Sequence, residues 1–452
     1  MHIAIVGAGM LGLTLAFRLA KQGHRIRIFE AGDALGGLTC AQDYGEFIWD
    51  RYYHCILPQD GKLIGLLREL GLGDKLRWRS TGTGYYAKGK FHSMSNNKDF
   101  LAFPLLSLID KGRLGFTILY ATRFADPYKL YGVTAKAWLT KMCGRKTYEV
   151  FWLPLLKAKF GVFHDQIAAV FIWATLTRLF GARTAGENQE NLGYVSGGYH
   201  AILGRLDAEL KALGVGIHLE TPVKAIETHS AEGGKPAFTR ITVAGAGKAE
   251  ETLDFDQVFF TAPTSLAEKV AGKHLLPYVK RMSEWYPTSH AYLGVICLVL
   301  VLKKPLTPYY VLNIGEDLGL TGLIEMTNLI DTAAETKGRS LVYLPRYLDS
   351  GDAKFNEPDE AILKEFLEGG LTKLFPGFSA EKDLVSYTVQ RARYVQPLPL
   401  AREGSGEIRP APAFERPFQV LNTSMLRCAT LNNNEVVGLV DDFLGKAAIP
   451  AA

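Results

Sequence analysis

Gly7, Gly9 and Gly12 stand at a spacing that lets main-chain amides grip a phosphate. A glycine at 7 permits a tight turn, one at 9 keeps Cβ out of the way of a pyrophosphate, and one at 12 lets a helix pack closely on a strand. Met10 and Leu11 would open that helix, so their N–H groups and the positive end of its dipole face the same phosphates. Further on, the carboxylate of Glu30 can accept hydrogen bonds from both hydroxyls of a ribose. An acid there repels a 2′-phosphate, which favours an adenosine cofactor lacking that group.

Such glycines mean little without elements to position them. Here His2–Val6 is a continuous apolar run suited to the centre of a parallel sheet. Leu11, Leu15 and Leu19 recur every four residues along one helix face, and Gly23 stops that helix. Ile26, Ile28 and Phe29 then make a second strand ending at Glu30. Strand, helix, strand and acid together meet the full context of a dinucleotide-binding crossover.

After Glu30 and Ala31 comes a second glycine pair, in Gly36-Gly37-Leu38-Thr39. From Ile3 to Thr39 the chain resembles the start of the FAD-dependent superfamily of amine oxidases, protoporphyrinogen oxidases and phytoene desaturases. The resemblance implies FAD as cofactor, with Gly7, Gly9, Met10, Leu11, Gly12, Glu30, Ala31, Gly36, Gly37, Leu38 and Thr39 around it. Gly193–Tyr199, with its pair Gly197-Gly198, and the following helix and strand resemble the segment by which those flavoproteins return to the nucleotide. On that likeness the backbone of Val223 reads the adenine. Asp254–Pro263 resembles the strand leading out of the domain. The C-terminal Gln419–Thr423 and the stretch from Leu431 to Leu444 match in position the strand, loop and helix that face the flavin. The family's usual Gly-Asp is absent there, so Asn432, Asn433 and Asn434 would have to supply the polar contacts.

The catalytic candidates lie in Gly45–His54. The resemblance places Asp50 along the flavin and His54 toward the substrate, where it would orient a substrate or exchange a proton. A purely structural pairing of Asp50, Arg51 and His54 is the alternative. Tyr199, with Tyr194, is expected in an aromatic wall over the flavin, against ordinary aromatic packing. Arg391, Arg393 and Tyr394 are candidates for the cavity lining. Flavin oxidation needs few acids or bases, because the ring itself accepts the hydride.

The 452 residues, 48% hydrophobic and 21% charged, fit a folded protein of two or more domains. We expect an α/β architecture: a Rossmann-type FAD domain from 1–95, 190–265 and 390–452, interleaved with an α+β substrate domain from 96–189 and 266–389. The latter would combine a helical insert with an antiparallel sheet that includes Ala291–Leu302. Five scattered cysteines, Cys40, Cys55, Cys143, Cys297 and Cys428, read as reduced thiols, with no metal site. No leader precedes the first strand and no run is long enough to span a bilayer, so a cytoplasmic location is expected.

Between Phe100 and Ala185 there are 12 lysines and arginines against 4 acids, together with 16 aromatics, although the whole chain carries only +5. Three readings fit: a solvated basic surface over an aromatic core, peripheral contact with the inner membrane surface, or recognition of an anionic substrate. Nucleic acid is disfavoured, because the aromatics keep helical spacing. The resemblance implies removal of a hydride from a C–N or C–C bond of a small or lipophilic molecule. The alternatives are a non-redox isomerase resembling UDP-galactopyranose mutase and a non-catalytic FAD-binding protein.

Overall fold

A computed structural model describes residues 1–181, 190–280 (except 235, 246, 248, 274, 276 and 278), 292–402, 414–426 and 430–449 (except 448). The first strand, His2–Val6, is flanked on one side by Arg25–Phe29 and then Gly216–His218, and on the other by Gln257–Phe260 and then Phe418–Val420. All four pairings are parallel. The chain enters at the centre, winds outward to one edge, returns and completes the other. The order therefore reverses beside His2–Val6, which in open α/β sheets is where nucleotides bind. The helices Met10–Lys21, Gly198–Ala212 and Asn433–Lys446 cover the sheet and share its apolar core.

The second sheet has seven strands. Tyr292–Leu302, buried at every position, runs between Leu384–Pro397 and Ser340–Asp349. Burial on both faces explains why this stretch is uniformly apolar instead of alternating. Ala291, at its expected start, lies outside the described residues. Gly322–Glu325, Val311–Ile314, Thr83–Ala87 and Lys90–Ser93 complete the sheet. The hairpin 83–93 thus belongs to this sheet by hydrogen bonding, although its place early in the chain put it with the nucleotide domain. Leu384–Pro397 likewise pairs with Tyr292–Leu302 along its length. We accordingly propose domain borders near residues 82 and 398, in place of 95 and 390.

The insert is helical, as its periodicity predicts: Asn97–Ala102, Leu108–Arg123, Ala135–Cys143, Leu153–Phe160 and Ala169–Gly181. Trp138 and Trp152 sit in its core with Phe103 and Phe160. Residues 182–185 of the basic stretch lie outside the described residues. Cys40, Cys55, Cys143 and Cys297 are free thiols, while Cys428 is not among the described residues. Among the described residues no helix is long and apolar enough to cross a membrane, and no group of side chains could hold a metal.

Candidate functional site

The glycine turn has the geometry its spacing predicts. Gly7 has φ +108°, and a Cβ on Gly12 would stand 2.1 Å from the Gly7 carbonyl oxygen, so both glycines are demanded by the fold. Gly9 differs. Its backbone is ordinary, with φ −71°, and a Cβ there would meet no atom of the other described residues within 4 Å. Nothing among the described residues requires a glycine at this position; the space it leaves is room for a ligand.

The helix behind it starts at Met10 with no side-chain cap and no acid in its first turn. Its first-turn amides are therefore ready to receive an anion. Gly36 donates its N–H to the Ala8 carbonyl at 2.8 Å, and Gly37 lies against Gly9, so the two glycine loops form one cradle. Thr39 braces the second loop by donating its hydroxyl to the Gly36 carbonyl at 2.8 Å. Ala31 is exposed just beyond.

Glu30 accepts from the Ala8 amide at 2.7 Å and the Gly32 amide at 2.8 Å. One carboxylate thus clamps both sides of the turn, and each oxygen keeps acceptor capacity for a sugar hydroxyl. Thr221 donates its N–H to the Glu30 carbonyl, which carries the chain to Val223 beside the same edge. There the strand ladder is irregular between Val223 and Ala225.

Next to this cradle opens a cavity of about 320 Å³. Met10, Leu11, Gly36, Leu38 and Thr39 form its nucleotide side. Leu431, Asn433 and Val436, from the start of the C-terminal helix, form another wall. Tyr52, Tyr53, His54, Val295, Cys297, Tyr347 and Lys159 close the far side. No aspartate or glutamate lines the cavity among the described residues, and Lys159 is its cation. The Lys159 ammonium lies 4.5 Å from the centre of the Tyr347 ring and is also near Phe160 and Phe171. The hydroxyls of Tyr53 and Tyr347 are 3.1 Å apart, and burial holds the Tyr53 phenol well above its ordinary pKa, so it stays protonated.

Several residues expected at the cofactor or substrate do not line this cavity. Asp50 does not line the cavity. It is buried, accepts the Tyr199 amide at 2.7 Å and stands 3.5 Å from His54 Nδ1. Its carbonyl also receives the hydroxyls of Tyr343 at 2.6 Å and Tyr44 at 3.1 Å. Tyr199, expected among the catalytic residues, is buried behind His54, with ring centres 4.7 Å apart, and its hydroxyl accepts from Asn433 at 2.7 Å. Only His54 of this group reaches the cavity. The bonds between Asp50 and the Tyr199 amide and between Asn433 and the Tyr199 hydroxyl hold both residues behind the cavity wall.

The asparagines divide similarly. Asn433 faces the cavity, but Asn432 caps its own helix through the Glu435 amide at 3.0 Å. Asn434 accepts the Lys62 and Leu63 amides at the start of a neighbouring helix. Helix ends need such caps, and three adjacent residues cannot point one way. Tyr194 accepts the Asp331 amide and packs on Trp49, away from the cavity. Arg391 is engaged by Asp359, and Arg393 by Ser350 and Asn356. It is Val395 and Gln396, just beyond, that line the cavity. Lys159, Cys297 and Tyr347 escaped the sequence reading, because each lies on an element whose alignment with the nucleotide domain is set only by folding.

A glycine cradle with room for pyrophosphate, an uncapped helix and an adjoining large cavity fit FAD. The class follows from the comparison: residues 11–412 match the family of flavin-containing amine oxidoreductases, and the chain belongs to it. FAD is its cofactor. Among individual relatives, 15-cis-phytoene desaturase of Synechococcus elongatus is 27% identical over 201 residues, 39% of this chain and 41% of that protein. The chain thus spans less than half the length of that relative. Putrescine oxidase bound to putrescine shares the fold with a TM-score of 0.71 at 18% identity, over 98% of this chain and 99% of that one. Reduced UDP-galactopyranose mutase does so at 0.70 and 16%, over 99% and 96%.

Proposed function

We propose that this chain is an FAD-dependent oxidoreductase that dehydrogenates a C–C bond of a lipophilic, neutral or anionic substrate. The carrying observation is the cavity beside the cradle, walled by apolar and aromatic side chains, with Lys159 as its cation and no carboxylate facing it among the described residues. Apolar walls favour a lipophilic body, while a few polar groups fix its orientation. An ammonium substrate would be repelled by Lys159 and would find no counter-ion, which disfavours amine oxidation.

When bound, FAD supplies the hydride acceptor. Everything else falls to the chain. Gly9 and the first-turn amides of Met10, Leu11 and Gly12 would hold the diphosphate, and Glu30 would take the ribose. Leu38, Thr39 and Asn433, which line the cavity, would hold the ring system. His54, held from behind by Asp50 and Tyr199, orients the substrate or takes a proton on its imidazole. Tyr52, Tyr53 and Tyr347 exclude water, which strengthens every electrostatic contact inside. A lipophilic substrate also places the work at a membrane surface, with the chain cytoplasmic or peripheral on the inner membrane.

The test is anaerobic titration of the purified yellow protein with prenyl lipids, porphyrinogens and amines. Bleaching of the flavin by an isoprenoid or porphyrin-like compound, weakened by Lys159→Glu when that compound is anionic, is expected. Bleaching by amines alone would overturn the substrate class. Turnover of a nucleotide sugar only after dithionite reduction would favour the isomerase, and a flavin that nothing alters would favour a binding protein.

A further inference from the structure

The helix Leu108–Arg123 turns its amphipathicity inside out. A surface helix ordinarily buries its apolar stripe and shows polar residues to water. Here the exposed positions of the helix are Leu108, Ile109, Gly112, Arg113, Gly115, Phe116, Leu119 and Arg123, with Phe124 next in the chain. Their exposure is large: Leu108 75%, Ile109 77%, Phe116 59%, Leu119 49% and Phe124 72%. The buried positions of the helix are Lys111, whose ammonium donates to the Leu101 carbonyl, with Leu114, Thr117 and Ala121. Trp173 donates to the Ala121 carbonyl at 2.7 Å and helps fix that inner side.

Single exposed leucines need no explanation, but a contiguous row does. Phe116, Tyr120 and Phe124 form a ladder with ring centres 6.3 and 6.4 Å apart. Charge on the exposed arc has one sign: Arg113 and Arg123, with no carboxylate. The helix's acid, Asp110, is engaged by the Ser107 cap and by Lys146. Leu101, on the preceding helix, extends the exposed apolar surface.

We infer that this face docks on the surface of an anionic lipid bilayer. The side chains Leu108, Ile109, Phe116, Leu119 and Phe124 enter the headgroup–acyl boundary, and Arg113 and Arg123 meet lipid phosphates. An apolar face with basic residues is what an in-plane membrane helix requires. The excess of 8 positive charges over 100–185 adds long-range attraction to anionic headgroups. A second copy of the chain is the less favoured occupant, since the arginines of two identical faces would meet without acids to pair them. The inference rests on the reading that the protein works at a membrane, and locates that contact.

The test is co-sedimentation of the FAD-loaded protein with vesicles of phosphatidylcholine alone or mixed with phosphatidylglycerol. Binding is expected to the mixed vesicles and to fall as salt rises. Ile109→Glu with Phe116→Glu should lower it at least about tenfold. Arg113→Gln with Arg123→Gln should lower it about fivefold per arginine. These exposed substitutions should leave the flavin spectrum and the melting temperature as in the parent, which separates lost docking from lost folding. Wild-type protein that binds neither vesicle overturns the membrane reading as a whole. Wild-type binding that both variant pairs retain overturns this helix as the contact. A concentration-dependent dimer abolished by Ile109→Glu with Phe116→Glu, without vesicle binding, would assign the face to a second copy.

Discussion

At the residue scale, Gly9 and Gly12 look alike in the sequence but answer to different constraints. A side chain on Gly12 would collide with the Gly7 carbonyl, whereas one on Gly9 would project into free space. Gly9→Val should therefore fold, with circular dichroism like the parent, and emerge colourless; a yellow variant with a normal flavin spectrum would refute the diphosphate assignment. His54 reaches the cavity while Asp50 and Tyr199 stay behind it. His54→Ala should retain FAD and lose turnover by about a hundredfold or more. Unchanged steady-state rates would leave His54 a packing residue.

At the scale of elements, three helices from distant parts of the chain meet in one charge cluster. Arg18 of Met10–Lys21 bonds Glu69 of Gly61–Glu69 and Asp441 of Asn433–Lys446, and Lys21 joins Glu69. Burial pushes the Glu69 carboxyl up, but the bonds from Lys21 and Arg18 outweigh it and hold its pKa below 4.5. A carboxyl depressed in the folded state contributes stability above its unfolded pKa and loses it as pH falls through the folded one. Urea midpoints of the native protein should thus drop on acidification below about pH 4.5, and Glu69→Gln should flatten part of that drop. An equal acid sensitivity in the variant would show that this cluster does not tie the helices together.

For the whole molecule, the nucleotide domain and the large sheet are joined by chain crossings and by buried contacts such as the bond from Tyr343 to the Asp50 carbonyl. Interleaving of this kind predicts one cooperative transition. Flavin release, followed by fluorescence, should coincide with the loss of helical ellipticity on heating. Tyr343→Phe should lower stability by about 1 kcal/mol while keeping the two probes coincident, because Tyr44 still serves the carbonyl. Separate transitions would mean that the two sheets unfold independently.

What the amino-acid sequence determined unaided is local. The cradle of Gly7, Gly9 and Gly12, the helix after it and the acid at Glu30 lie within thirty residues, so turn sterics, helix period and strand pattern specify them together. The buried strand Tyr292–Leu302 was also legible, from its β-branched content. Only the tertiary structure could decide which residues of distant segments share the cavity. It left Asp50 and Tyr199 behind the cavity wall, left Asn433 alone of the three adjacent asparagines facing the cavity, and brought Lys159 and Tyr347 to the wall. The hairpin 83–93 joined a sheet whose other strands come from residues 292–397. Strand partners and cavity walls depend on long-range packing and on which backbone amides remain to be capped, and no short window of sequence holds that information.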